Sequence, residues 1–442
     1  MLRKFAGLVL GVLLVTCGIA HAQQSASSGI QGIVTDSSGA AVPGATVTVT
    51  NIGTNAERVT VTDPAGRFSV PNLLPARYRV HVELQGFQAA EVSDLELRDG
   101  ETARPTLTLA VGGVSEAVSV QAESPLLQTQ SASVGQTIGE KQIEALPLSG
   151  RSVLSAASLA AGVTPRAFQR GTQYGRRNEY ITVEGGRDSS TNYAIDGVYV
   201  RSLRFNNMSL NPPLDAVQQV TLLRNSFSTE YGQGQAVVSM VTKSGSNSLS
   251  GSVYEFVRND AFDSKNFFAT SKTPYDRNQF GVTGGGPIVR NKIFFFGGYE
   301  GLRTTQGQTF LASVASPTQL SGNFSALATP ILDPTTGQPF PGNIIPTSRF
   351  STFAKVLGPT VPAPNNTGST NYRVVKNFID DADSVVLRSD QTLNTKHSLF
   401  ERYLWADGTQ ISPGAFTATN LPQKGKNLAI GETWVMAPTW VN

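Results

Sequence analysis

The chain has 442 residues, with 35 Lys+Arg against 32 Asp+Glu and a formal net charge of +3; so small an excess gives no reason to expect nucleic acid as a partner. Its 43 glycines and 24 prolines leave room for two or more turn-rich domains. One cysteine and three histidines exclude a disulfide framework and leave little material for thiol or metal chemistry.

Residues 1–22 place a basic head, Arg3 and Lys4, before an apolar run from Phe5 to Ile19 and an Ala20-His21-Ala22 end. That is the layout of a cleaved secretory signal, and its apolar part is too short and wrongly flanked for a permanent spanning helix. Cys17 raises the alternative of a lipoprotein signal, but Thr16 stands where such signals carry a small Gly or Ala. Cleavage after Ala22 leaves a mature chain without cysteine. No later segment offers roughly eighteen uninterrupted apolar residues, so entry into a membrane must be by β-strands.

From Gly29 to Val111, short β-branched runs alternate with turn residues: Gln31 to Thr35, Ala45 to Asn51, Arg58 to Thr62, Phe68 to Val70, Arg77 to Leu84, Glu91 to Leu97 and Thr106 to Leu109. Seven such strands, broken at Asp36-Ser37-Ser38-Gly39, Asp63-Pro64-Ala65-Gly66 and Arg98-Asp99-Gly100, predict a β-sandwich. Alternation puts Ala45, Val47 and Val49 on one face and Thr46, Thr48 and Thr50 on the other.

The residues Gly32-x-Val34-x-Asp36-x-x-Gly39-x-x-Val42-Pro43-Gly44-Ala45-x-Val47, then Thr62-Asp63-x-x-Gly66-x-Phe68, Leu74-Pro75-x-x-Tyr78-x-Val80 and Gly86-Phe87 resemble the carboxypeptidase regulatory-like (transthyretin-like) module. Ala76 departs from the family, which places Gly after that Pro, so the turn there is expected to differ. In that family the module is a scaffold beside an enzyme, and its likeness to carbohydrate-binding sandwiches assigns no ligand. His81 and Glu83 share a strand face without a third ligand, which reads as a solvated pair and not as zinc. No catalytic constellation, metal site or cofactor is expected; the protein is read as a non-enzyme.

Residues 112–124 are a linker. Gly112-Gly113 interrupts the sandwich pattern, and Glu116, Ala117, Val118, Ser119 and Val120 open a short strand ahead of Pro125. It reads either as a last strand of the sandwich or, by resemblance, as the TonB box of outer-membrane receptors, a segment that adds as a strand to the periplasmic TonB protein.

Residues 125–244 show a mixed α/β pattern. One or two helical turns are expected over Gly139 to Pro147 and a small helix over Ser152 to Ala161, followed by strands at Tyr180 to Glu184, Asn192 to Ile195, Val217 to Leu223 and Ala236 to Thr242. Gln142-Ile143-Glu144-x-Leu146-Pro147-Leu148-x-Gly150-Arg151, Val183-x-Gly185-x-Arg187-x-x-Ser190-x-Asn192, Asp196-Gly197-Val198, Asp215-Ala216-Val217-Gln218, Ser228-x-Glu230-Tyr231-Gly232 and Val241-Thr242-Lys243-Ser244-Gly245 resemble the plug of Oar-like TonB-dependent receptors. Asp196-Gly197 predicts a tight turn, and Gly232 and Gly234 predict close backbone approach, without the setting of a phosphate cradle. Arg166, Arg170, Arg176, Arg177 and Arg187 lie among Phe168, Tyr174 and Tyr180, while Arg201 and Arg204 follow the Asp-Gly turn. Two roles stay open for these arginines. The resemblance implies plug loops facing the outside, where Arg176, Arg177, Arg201 and Arg204 hold an anionic or sugar ligand. The alternative pairs them with acidic residues on the inner wall.

Beyond Gly245 amphipathic strands alternate with long polar loops. Phe280 and Val282 oppose Gln279, Gly281 and Thr283; Ile293, Phe295 and Tyr299 share a face; Val385 to Ser389 and Leu399 to Trp405 flank a turn at Asn394-Thr395-Lys396. Apolar-out, polar-in alternation is the pattern of an outer-membrane barrel. Gly251-Ser252-x-Tyr254-Glu255-Phe256-x-Arg258-Asn259-Asp260-Ala261, Arg277-Asn278-Gln279-Phe280-Gly281, Tyr299-Glu300-Gly301-Leu302-Arg303 and Leu399-Phe400-x-Arg402-Tyr403 also resemble Oar-like barrels. The 198 residues of 245–442 suffice for about six to eight strands, whereas transporters of this kind need about 22, so a truncated barrel is expected.

The fold class expected is therefore mainly β: an N-terminal seven-stranded β-sandwich (29–111), a mixed α/β plug (125–244) and the first strands of an incomplete transmembrane β-barrel (245–442). The function implied is TonB-dependent uptake, at the outer membrane, of an unidentified extracellular solute such as an oligosaccharide or another large molecule. TonB, with ExbB and ExbD for energy coupling, and outer-membrane lipid are the implied partners. The alternative is a secreted or surface carbohydrate-binding or adhesion protein that uses the sandwich.

Overall fold

The computed structural model describes residues 28–112, 118–121, 134–145, 151–166, 180–187, 190–201, 208–224, 227, 234–265, 267, 271–368, 370–437 and 440–441. The expected signal segment, Glu116, Ala117, Arg176, Arg177 and Arg204 lie outside them.

Strands β1 (Ser28–Asp36), β2 (Thr46–Asn51), β3 (Glu57–Val61), β4 (Arg67–Leu73), β5 (Ala76–Glu83), β6 (Ala90–Leu97), β7 (Thr102–Ala103), β8 (Thr106–Leu109) and β9 (Val118–Gln121) build a two-sheet sandwich. One sheet runs β4-β1-β7, with β8 also on β1; the other runs β3-β2-β5-β6-β9. All seven expected strands are present; the two-residue β7 is additional, and the strand expected in the linker is β9, which pairs with β6 as the last strand of the second sheet. Val47, Val49, Val80 and Val82 are fully buried, as strict alternation along β2 and β5 requires. The Asp turns hold because each carboxylate accepts two backbone N–H groups: Asp36 from Ser38 and Ala40, Asp63 from Ala65 and Arg67. The Ser38 hydroxyl in the first case and the Arg67 backbone N–H in the second lead the hydrogen bonds that keep these two acids below the ordinary carboxylate range. Gly66 has φ +70, and a Cβ there would stand 2.5 Å from the Val34 carbonyl, so both backbone and space demand glycine. Ala76 opens β5 and is not left-handed; the nearest left-handed residue is Asn72 (φ 54), inside β4, so no glycine is required at position 76. Tyr78 closes this corner by donating to Leu74 O at 2.7 Å, and burial pushes its phenol pKa up.

The middle of the chain forms β10 (Val134–Gly139), β11 (Val163–Arg166), β12 (Tyr180–Val183), β13 (Thr191–Ile195), β14 (Val198–Tyr199), β15 (Val217–Arg224) and β16 (Ala236–Thr242). A mixed sheet runs β10-β15-β16-β13-β14, with β11 and β12 in a separate two-stranded antiparallel sheet. The four expected strands occur within a residue of their predicted bounds; β10 is an edge strand that the sequence pattern does not announce. The predicted helices are Glu140–Ala145 and Val153–Ala157. The second is shorter than expected because Leu159 and Ala160 bond the carbonyls three residues back, tightening the end into turns. Gly234 is packed as predicted, a Cβ there standing 2.9 Å from the Asn192 amide.

Strands β17 (Ser250–Asn259), β18 (Tyr275–Val289), β19 (Ile293–Ala312), β20 (Tyr372–Thr392), β21 (His397–Pro413), β22 (Ala418–Ala437) and β23 (Trp440–Val441) form one open antiparallel sheet in chain order. Turns 290–292 and 393–396 lie at one end, and connections 260–274, 313–371 and 414–417 at the other. Short turns on the periplasmic side and longer loops outside are the rule for outer-membrane barrels, the orientation that the resemblance implies for this sheet. Val253, Val282, Leu387, Leu428 and Ile430 stay exposed on the convex face, whereas Gln279, Thr283, Phe294, Phe296, Val386 and Leu404 are buried on the other. The outward apolar face is the one suited to lipid. The inner one shares a core with the plug, since Phe296, Val386 and Leu404 pack into the cluster of Ile195, Val217, Val238 and Met240.

Candidate functional site

Where plug meets wall, four charged side chains come together. Ile195 and Val198 pair across a two-residue hairpin, and Asp196 (φ 47) and Gly197 (φ 78) are both left-handed, as the type I′ turn requires. This turn aims the Asp196 carboxylate at the wall. There Arg388 on β20 and Arg402 on β21 stand directly opposite in register.

Like charges directly opposite are destabilising, and here both are buried, with side chains 3% and 0% exposed. The carboxylate between them resolves the conflict. Arg388 Nη1 donates to Asp196 Oδ1 at 3.2 Å, and Arg402 Nε donates to Oδ2 at 3.0 Å. Thr242 gives the same carboxylate its backbone N–H and its hydroxyl, both at 2.9 Å, which fills the acceptor sites a carboxylate offers. Arg388 is also held in a fork by Asp390, at 2.9 and 2.8 Å, and donates to Thr242 O at 3.0 Å. Arg402 donates to Asn427 Oδ1 at 2.6 Å and to Ile195 O at 2.9 Å. The Phe400 ring lies 5.3 Å from the Arg388 guanidinium. Two arginines and two aspartates balance, so the cluster is neutral as a unit while each member depends on the others.

A second contact joins plug and wall near the first barrel strand. Arg151 pairs with Asp215 of the plug and stacks over Phe256 and Tyr254 of β17, 4.1 and 5.1 Å from the ring centroids. Tyr254 in turn donates to Glu300 at 3.1 Å.

The predicted site residues are not drawn into this cluster. Val118, Ser119 and Val120 lie on β9, which pairs in parallel with β6 (Ala90↔Val118 to Ser93↔Gln121) and forms the edge of that sheet. Arg201 donates to Asn192 Oδ1 at 3.2 Å and sits by the Tyr199 ring. Pairing of plug arginines with wall acids is not the arrangement at the buried contact. There the polarity is reversed, with the acid on the plug and the arginines on the wall. The signal available in the sequence was Val386-x-Arg388-x-Asp390 on the polar face of an amphipathic strand, with Arg402 on the next. What the pattern could not supply is the cross-strand register that places them together. Among the described residues no group of His, Cys, Asp and Glu is placed to hold a metal ion.

Comparison with known proteins follows the same three parts. Residues 29–110 match the carboxypeptidase regulatory-like domain, 127–237 the TonB-dependent receptor plug domain, and 241–442 an outer membrane beta barrel domain. The chain is 27% identical over 312 residues to the TonB-dependent transporter Oar of Myxococcus xanthus, a match covering 66% of this chain and 28% of that protein. Among solved structures it is similar to the outer membrane transporter YddB of Escherichia coli (TM-score 0.45, 10% identity, 69% of this chain and 37% of the other). It is also similar to a ferric enterobactin receptor mutant of Pseudomonas aeruginosa (TM-score 0.39, 14% identity, 68% and 38%).

Proposed function

We propose that this chain, which carries plug and outer membrane beta barrel domains and is similar to the transporter Oar, is a TonB-dependent outer-membrane receptor of the Oar-like kind: it binds an extracellular solute over the plug and admits it when TonB, energised through ExbB and ExbD, pulls on the plug. The observation that carries the reading is the buried polar lock of Asp196 with Arg388 and Arg402. The lock consists of ion pairs and hydrogen bonds between plug and wall, so it can break when the plug moves and re-form when the plug returns.

The TonB-binding segment in this proposal is Glu116 to Val120. Its described part lies between sandwich and plug on an edge strand paired on one side only, the setting from which a strand can add to a partner's sheet. Arg176, Arg177, Arg201 and Arg204 are proposed as ligand contacts, with an oligosaccharide or another large polar solute as the class of substrate. Deleting Ser115 to Gln121 is expected to abolish capture by the C-terminal domain of TonB in a pull-down. Undiminished capture would place the box elsewhere in the chain.

A further inference from the structure

The N-terminal sandwich is not free of the rest of the chain. Its β2–β3 corner, with Arg58 at the start of β3, reaches the short-turn end of the wall at three points. Arg58 donates to Thr395 O at 3.0 Å and to Ser398 Oγ at 3.1 Å; Asn55 donates to Asn291 Oδ1 at 3.1 Å; and the Gly53 carbonyl accepts from Asn247 N at 2.9 Å. The same module also reaches the plug. Gln218 donates to Pro75 O at 3.3 Å, and Ser239, on the central plug strand β16, donates to Asp99 at 2.7 Å. Between these contacts lies a cavity of about 120 Å³, lined by Arg58 and Tyr78 from the sandwich, Gln218 from the plug, and Arg388, Asp390 and Phe400 from the wall. The inner end of the plug–wall lock therefore faces a space that the sandwich helps to line.

A body that touches both partners of an interface adds its own contacts to the work of separating them, provided it keeps hold of both. We propose that the sandwich is a clamp on the plug: seated on the periplasmic rim, it holds the plug in the wall from below, and it must let go of the rim before the plug can shift. Burial against the rim keeps the pKa of Arg58 below its ordinary guanidinium value, yet the group stays charged at any physiological pH, so the clamp opens by force and not by titration. The inference concerns the resting state and stands whether or not TonB binds at residues 116–120.

The test uses the whole protein in detergent, with a cysteine introduced at the buried plug residue Ala157 as the reporter; Cys17 is the one native cysteine. Labelling of that thiol is followed against urea, and its midpoint reads plug release. Two changes that never touch the plug should move this midpoint in opposite directions. Arg58→Ala is expected to lower it. Joining Asn55→Cys to Asn291→Cys with a short, reducible bismaleimide is expected to raise it, and reduction should bring it back. A midpoint unmoved by both changes would overturn the clamp, as would failure of the two cysteines to be joined although each is labelled singly. Loss of TonB capture with the clamp effects intact, or the reverse, separates this inference from the uptake reading.

Discussion

Asp196→Asn is the substitution that most directly tests the lock. Asparagine keeps the size of the side chain and accepts the left-handed backbone of the turn, so the change isolates the charge. Of the two wall arginines, Arg388 retains Asp390, whereas Arg402 pairs with no carboxylate other than Asp196 among the described residues. The change therefore leaves Arg402, fully buried, opposite another arginine without a counter-charge. Removing one partner of a buried ion pair costs about 3–5 kcal/mol; with a urea dependence of ~1–3 kcal/mol per M, plug release read by the Ala157→Cys thiol should move down by one to several molar units. Arg402→Met in the same background removes the orphaned charge and should recover most of the loss, giving a coupling well beyond the ~0.5 kcal/mol within which independent sites add. A loss below ~1 kcal/mol for Asp196→Asn, as exposed pairs show, would refute the lock, and so would a double variant whose loss is the sum of the two single ones.

Three further outcomes are expected. Residues 29–111 expressed alone should melt cooperatively as a soluble β domain, and Tyr78→Phe in it should lose about 1 kcal/mol with the hydrogen bond to Leu74 O; a random-coil circular dichroism spectrum would refute the boundary. Gly66→Ala in the same module should destabilise it by more than the ~1 kcal/mol of a left-handed alanine, since its Cβ also meets the Val34 carbonyl; an unchanged melting temperature would contradict the close contact. On the wall, Leu387→Arg places a guanidinium on the convex face and should lower stability in lipid vesicles by ~2–4 kcal/mol at mid-membrane depth, whereas an equal effect in water-facing detergent-free buffer would argue against that face meeting lipid.

Much of this architecture was readable because it repeats a local rule. The sandwich strands follow from the alternation of Val47 and Val49 with their threonine neighbours, and from Asp turns whose carboxylates satisfy their own backbone. The wall strands follow from the same period: Gln279 and Thr283 turned inward and Val282 outward, as the pattern predicts. Strand β10 was missed because Val134 to Gly139 carries two glycines and too short an alternation to stand out, and it takes its place by pairing with β15 and burying Ile138. The helix after Ser152 was over-extended because composition does not reveal that Leu159 and Ala160 close tighter turns. Strand β9 was legible as a strand, but its partner, β6, is fixed by three-dimensional proximity that no local pattern encodes.

The lock was illegible for a deeper version of the same reason. Asp196 lies 192 residues from Arg388 and 206 from Arg402, and nothing local couples the turn to those strands. Once formed, the contact constrains the strands in return. Side chains alternate along a strand, so a one-residue slip of β20 and β21 together would carry both guanidiniums from the plug side to the lipid side and strip them of Asp196. At ~2–4 kcal/mol for each arginine turned into lipid, with the buried pair lost as well, the slipped register is strongly disfavoured. Long strands such as β20 and β21, whose backbone bonds alone are nearly indifferent to a shift, therefore acquire their register in part from the plug they enclose. The residues that hold the plug also specify the wall, which is why a charge change at Asp196 is predicted to be felt on strands it does not belong to.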